Sequence, residues 1–372
     1  MKEICVIIPT IRDYGIVREY VNNAILSGFD AYRLAFLLIT EDFCDSLKMK
    51  NMLSELGVSG DVVNQKDRDE WFEANGVAEF KSLMPKRSHA ETSFGLLWML
   101  ANGFESGIFI DDDTLPATGA DYFGTHMKNL SFKGRMPCVS SDKNWVNVLY
   151  QNFARHRLYP RGYPYSCMGE SVKISEKTVR NVPISQGLWT NVPDLDAVRI
   201  LMGGDLNGQS STKTGKDDFL GAFASQKGNY LTICSMNLAI KKEVIPAFYQ
   251  LPMDDNPWKI GRFDDIWSGV FVKKACDLMN HDVVTGMPLC IHNKAPRNTF
   301  KDLNAEAPAL DINENLWKIV ENIEYDSKDY YGIYREMAEG ILKSKCSCIN
   351  ADFLPYMASK MLEWLRCVDK LS

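Results

Sequence analysis

Gly107–Asp113, GIFIDDD, decides the fold: a short apolar run closes on three consecutive carboxylates. A run of this length and character reads as a buried strand. Three neighbouring carboxylates repel one another and call for a cation, a proton or solvent. Along an extended segment alternate side chains share a side. Asp111 and Asp113 can therefore face one ligand, with Asp112 turned the other way. Carboxylate ligands of this kind suit Mn²⁺ or Mg²⁺. The plain alternative is a polar turn with an Asp N-cap. Working outward, Glu3–Ile8 (EICVII), ending at Pro9, and Arg33–Thr40 (RLAFLLIT) read as two more buried strands. Helical spacing separates them at Val17–Leu26, Leu47–Leu56 and Ala90–Phe104. This alternation predicts an α/β domain with a central, mainly parallel sheet covered on both faces. Such sheets bind ligands at the carboxyl ends of their strands, where Pro9, Thr10 and Arg12 stand with the Asp triplet.

The rest of the chain fits a soluble globular protein. Of its 372 residues, 45% are apolar and 24% charged, which excludes a disordered chain, a collagen-like fibre and a coiled coil. The formal net charge of −6 leaves no broad basic field, so nucleic acid is not an expected partner. No apolar run approaches the roughly 18 residues of a membrane span, and the N-terminus reads as a strand rather than a signal peptide. The ten cysteines are scattered without a CxxC, and Cys346-Ser-Cys348 lacks a partner pair for zinc. Reduced thiols and a cytoplasmic location are the expectation.

Further candidates lie downstream. The middle, about 150–230, is irregular and rich in Tyr, Pro, Gly and Asn, with a polar stretch at 203–218 expected to be a mobile surface loop. Arg161, in YPRGYPYS, is either a surface ion-pair partner or an anion clamp, and the tyrosines around it could stack on a base, a sugar or the guanidinium. Asp264 and Asp265, in GRFDDIW, precede a helix over Asp265–Met279. Asp264 is an N-cap, or one of the two handles the protons of sugar hydroxyls. Lys86 and Arg87 lie before the long helix, as a solvated pair or an anion site. Strands are expected at Tyr230–Ile240 and Asp282–Ile291, the latter ending at His292. That histidine is hydrogen-bonded structure or the nitrogen ligand of a site begun by two carboxylates. Helices at 313–323, 328–343 and 352–369 form a C-terminal region without candidate chemistry, after a domain spanning 1–312. It should pack on the core or on a partner subunit, leaving a homo-oligomer open.

Together IPTIR, the IDDD strand end, YPRGYPYS, SQGLWTNVPD, CSMNLAI, GRFDDIWSG and TGMPLCIHNKA occur in the order found in the reversibly glycosylated polypeptides, and the chain resembles that family over roughly 1–300. The resemblance implies a GT-A-like, Rossmann-type nucleotide-sugar fold, a divalent metal (usually Mn²⁺), and interconversion of pyranose and furanose forms of a UDP- or GDP-sugar. By motif, Arg161 matches the arginine of reversible self-glycosylation, Asp111–Asp113 the acidic motif, and His292 a metal ligand. In that reading Asp111, Asp113 and His292 hold the metal, and Pro9, Thr10, Arg12, Lys86, Arg87, Asp111 and Asp112 bind the nucleotide. Arg161, Asp264 and Asp265 carry the catalysis. Gln186 stands where the plant pattern has histidine. Two other readings compete: a glycosyltransferase serving an external acceptor, and a catalytically silent partner subunit.

Overall fold

A computed structural model describes residues 3–12, 15–149, 158–219, 221–253 and 256–372. The three N-terminal strands expected from the sequence, with the unexpected Ser59–Val63 at their edge, form the start of a ten-stranded sheet. Its order runs Ser59–Val63, Leu34–Ile39, Ile4–Pro9, Ser106–Ile110, Asn237–Lys241, Ile184–Gln186, Val283–Thr285, Phe223–Ser225, Gly134–Ser141 and Val172–Val179. The first four are parallel, and Asn237–Lys241 then runs against Ser106–Ile110. Five of the nine pairings are parallel. The first four strands build the Rossmann-type half expected for a nucleotide-binding α/β domain. Ile4–Ile8 and Leu34–Ile39 are buried throughout, as continuous apolar strands between two helical layers must be.

Strand alternation sorts the helices. Ile7 stands beside Phe109, which stands beside Leu238, on the face packed by Gly95 of the Thr92–Ala101 helix. Asn237 and Ser185 point the other way and meet His126 of the Tyr122–Leu130 helix at 2.8 and 3.0 Å. The C-terminal helices Leu310–Glu321, Tyr330–Lys343 and Phe353–Leu371 join the main hydrophobic core. Trp364 stacks on Tyr249 at 4.8 Å and donates to the Ile245 carbonyl at 3.3 Å.

The middle of the chain is more regular than expected. It contains the Val172–Val179 strand, the Ile184–Gln186 and Leu188–Asn191 strands and the Ala197–Met202 helix. Val172–Val179 reads as irregular because it is a polar sheet edge, VKISEKTV, with charges where an apolar face was sought. The polar stretch is tied down rather than loose: Gly208 N–H donates to Thr299 at 2.9 Å, and Asn191 and Thr214 exchange backbone bonds. The strand expected at Asp282–Ile291 is broken at Gly286, and the one at Tyr230–Ile240 is two short pieces. Cys346 and Cys348 are joined as a disulfide, against the expectation of reduced thiols throughout, while the other cysteines are free. Among the described residues no helix is long and apolar enough to cross a membrane.

A small second sheet positions the chemistry. Pro288–His292 pairs with Leu188–Asn191 on one side and with Thr114–Pro116 on the other. His292 lies opposite Thr114, and Asn293 N–H donates to the Asp113 carbonyl at 2.8 Å. Residues from opposite halves of the chain thus end side by side, because one strand bridges them.

Candidate functional site

The Asp triplet turns sharply off its strand, with Thr114 N–H closing on the Asp111 carbonyl at 3.1 Å. Asp111 and Asp113 line a cavity of about 520 Å³, together with Arg12, His89, Arg161, Asp194, Asp264, Asp265, His292 and Lys294. Asp112 turns away from it, accepts from the Thr10 hydroxyl at 2.9 Å and faces Arg12 at 3.4 Å. A second cavity of about 370 Å³ lies on that side, over the ends of the first two strands. Pro9, Thr10, Thr40, Glu41 and Arg87 line it, and all three Asp residues border it. The triplet is therefore the wall between two compartments. Lys86 lines neither cavity. Arg87 is fixed through its backbone N–H, which donates to Glu41 and Glu91 at 2.8 and 2.9 Å.

His292 is buried and aimed at Asp113. Its Nδ1 donates to the Val192 carbonyl at 2.7 Å, which fixes the ring and turns Nε2 toward Asp113 Oδ1, 3.6 Å away. That gap is too long for a good hydrogen bond. An imidazole oriented through its far nitrogen by a carbonyl is the usual support of a metal-binding histidine. Burial works to raise the Asp113 pKa, but His292 and Arg12 hold it below the ordinary value. Asp111 lies across the cavity, 3.5 Å from His89. Among the described residues no three acidic, imidazole or thiol groups stand close enough to form a finished metal cluster. The donor set, an oriented imidazole facing a carboxylate with a second carboxylate nearby, fits a hard divalent cation in chemistry.

Arg161 sits in a tightly packed turn. Gly162 has φ +82°, and a Cβ there would fall 2.1 Å from the Ile266 side chain, so RGYP requires glycine. The Arg161 Nε donates to Asp194 at 3.1 Å and Nη2 lies 3.0 Å from the same oxygen. Nη1 reaches Asp265 at 3.2 Å and the Arg262 carbonyl. Each guanidinium nitrogen thus faces a protein oxygen. The guanidinium read as a surface ion-pair partner or an anion clamp is buried and faces two carboxylates. Nor do the surrounding tyrosines stack on it: Tyr165 carries the Arg199 guanidinium at 4.3 Å, and Tyr163 is buried. Arg262 holds φ 63°, a strained conformation for this residue, locked by Glu306 at 2.6 Å.

Asp264 and Asp265 open the Asp264–Leu278 helix, and Phe263 rather than Asp264 occupies the N-cap position. Both are buried but diverge electrostatically. Burial favours protonation of Asp264, yet the neighbouring His89 (2.9 Å) and Arg161 hold it below its ordinary pKa. Burial pushes Asp265 up, against the pull of Arg161 and with the charge of Asp264 adding to it. Arg161 gives two nitrogens to Asp194 and one to Asp265. Asp194 is accordingly driven well below its ordinary value, despite its burial. His89 itself is raised well above the ordinary histidine value, because Asp264 and Asp111 outweigh the effect of burial. A low and a high carboxylate side by side can divide base and acid work.

Sequence reading missed His89, Asp194, Arg262, Lys294 and Arg297. Asp194, Arg262 and Lys294 lie inside motifs singled out above, Arg297 lies just beyond one of them, and His89 follows closely on Lys86 and Arg87. Nothing in their spacing marks which polar residue faces the cavity.

The family model for "Reversibly glycosylated polypeptide" matches residues 77–372. UDP-arabinopyranose mutase 2 of Arabidopsis thaliana is 30% identical over 273 residues, covering 71% of this chain and 68% of the relative. Probable UDP-arabinopyranose mutase 1 of Zea mays is 30% identical over 274 residues, covering 71% and 67%. Among solved structures, glucosyl-3-phosphoglycerate synthase from Mycobacterium tuberculosis superposes with a TM-score of 0.37 at 10% identity, covering 85% of this chain and 80% of that one. So weak a likeness adds nothing to the fold read from the strand order. The family match and the mutase relatives agree: this chain belongs to the reversibly glycosylated polypeptide family.

Proposed function

We propose that the protein is a UDP-sugar mutase that interconverts the pyranose and furanose forms of the bound sugar, an intramolecular transferase. One observation carries the reading: two cavities meet at the Asp111–Asp113 wall, inside a chain of a family whose relatives are named UDP-arabinopyranose mutases. The smaller cavity, over the ends of the first two strands, takes the nucleoside. The larger, charged one takes the diphosphate and sugar. The relatives' names favour uracil over guanine.

Asp113 and His292, with Asp111 opposite, would hold a divalent cation, Mn²⁺ in preference to Mg²⁺ because of the imidazole. When bound, it supplies positive charge that makes the diphosphate a better leaving group. The residues of the chain do the rest. The C1–O bond to phosphate breaks and its electron pair stays on the phosphoryl oxygen. An oxocarbenium-like sugar remains, close to the anionic wall of the cavity. Another hydroxyl of the same sugar adds to C1 and gives up its proton, and the old ring oxygen then leaves C1 with the bonding pair and takes one up. Asp264, held anionic by His89, accepts the proton of the closing hydroxyl, and Asp265, pushed toward its protonated form, supplies the one taken up by the departing ring oxygen. The diphosphate then returns to C1. Arg161 fixes Asp194 and Asp265 in place, a positioning role that suits a guanidinium better than nucleophilic attack.

Titrating UDP against GDP in the presence of Mn²⁺ tests the base. Incubating sugar nucleotides of the tighter base without an acceptor then tests the reaction. A ring isomer supports the mutase. Sugar appearing only on an added acceptor supports a glycosyltransferase, and binding without either reaction a silent subunit.

A further inference from the structure

Every arginine on the cavity wall is already engaged. Arg161 is held by Asp194 and Asp265, Arg262 by Glu306, Arg297 by Asp302 at 2.7 Å, and Arg12 leans on Asp112. Lys294 differs. It is 7% exposed, lines the cavity, and its Nζ has no hydrogen-bond partner. The nearest carboxylate oxygen, on Asp194, is 4.0 Å away, and that residue's other oxygen is taken by Arg161. The backbone beside it is fixed, since Gln209 donates to the Lys294 carbonyl at 2.8 Å. A buried ammonium without a hydrogen-bonded partner is costly unless something in the cavity satisfies it.

We propose that Lys294 is a catalytic residue whose ammonium binds the substrate's phosphoryl group next to the sugar. The proposal rests on the nucleotide-sugar reading above. A lysine suits this role because it is a compact charge with three donors, which can follow an oxygen as its charge grows. When the C1–O bond breaks, the electron pair goes to that phosphoryl oxygen and Lys294 donates hydrogen bonds to it. No proton is transferred, and the pair returns to C1 when the furanose is closed. Asp194 keeps the ammonium in place without neutralising it. The charge that sequence reading assigned to Lys86 or Arg87 is thereby moved into the cavity.

The test compares Lys294→Met and Lys294→Arg with the wild-type chain, using UDP and uridine as probes in titration calorimetry with Mn²⁺ present. Lys294→Met should weaken UDP binding about tenfold or more, leave uridine binding within about twofold, and slow turnover about 10²–10³-fold. Lys294→Arg should recover part of the UDP affinity. Should the Met variant fail to fold, Lys294→Gln carries the same comparison. Unchanged UDP affinity, or equal loss of UDP and uridine, would overturn the proposal. A wild-type protein that binds UDP but forms no ring isomer would overturn the mutase reading alone, because the UDP–uridine comparison needs no turnover.

Discussion

Arg161 holds two buried carboxylates at once, and this sets what its removal does. Arg161→Ala leaves Asp194 and Asp265 buried without their shared cation. We expect a loss of about 3–5 kcal/mol in stability, the usual cost of breaking a buried pair, together with loss of activity. Arg161→Lys should restore part of the stability. Denaturant midpoints decide it, and an Arg161→Ala variant as stable as wild type would show that the guanidinium acts on substrate instead. Asp113 makes the opposite prediction. Asp113→Ala should abolish Mn²⁺-dependent enhancement of UDP binding while leaving the circular dichroism spectrum unchanged; a preserved Mn²⁺ effect would remove it from the metal site. These two residues were legible in the sequence for different reasons. Asp113 follows a strand whose end must be a ligand edge, and Arg161 sits in a specific motif. His89 was not legible, because its partner Asp264 is 175 residues away and only the fold joins them.

The Tyr122–Leu130 helix and the central strands meet through a buried polar knot. His126 bonds Ser185 and Asn237, and Asn129 also reaches Ser185 at 3.0 Å. Burial pulls the His126 pKa down from 6.5 to about 4, against the hydrogen bonds. Between those values the unfolded chain binds the proton and the folded one does not. The stability is therefore complete above pH 6.5 and lost as pH falls toward 4. From roughly pH 7.5 down to 5 the loss from this group should be about 2 kcal/mol. Urea midpoints of wild type and His126→Asn should converge on acidification, and parallel pH curves for the two would contradict this. At this scale the sequence reads well where a strand is continuously apolar, as at Leu34–Ile39. It reads poorly where a strand carries charges at a sheet edge, as at Val172–Val179.

The molecule as a whole is closed by its last helix. Trp364 is fully buried against Tyr249, in the layer that covers the Thr92–Ala101 helix. Trp364→Ala should cost about 3–5 kcal/mol, read as a lowered thermal midpoint, and an unchanged midpoint would show that the helix is dispensable. Helical spacing found this region, but it could not say what the helix covers, because an apolar stripe fits a core or a partner equally well. The α/β order, the triplet at its strand end and His292 beside it came from strand grammar. The two-cavity division did not, since it depends on a second sheet that joins residues far apart in sequence. The reaction proposed for the two-cavity site is acceptor-free isomerisation. It is tested most directly by following UDP-arabinopyranose with the purified protein and Mn²⁺ by proton NMR, with no acceptor present. A furanose anomeric signal should rise to a fixed ratio, reached equally from UDP-arabinofuranose, with the UDP linkage conserved. Release of UDP in step with loss of the sugar nucleotide, and no furanose signal, would contradict it.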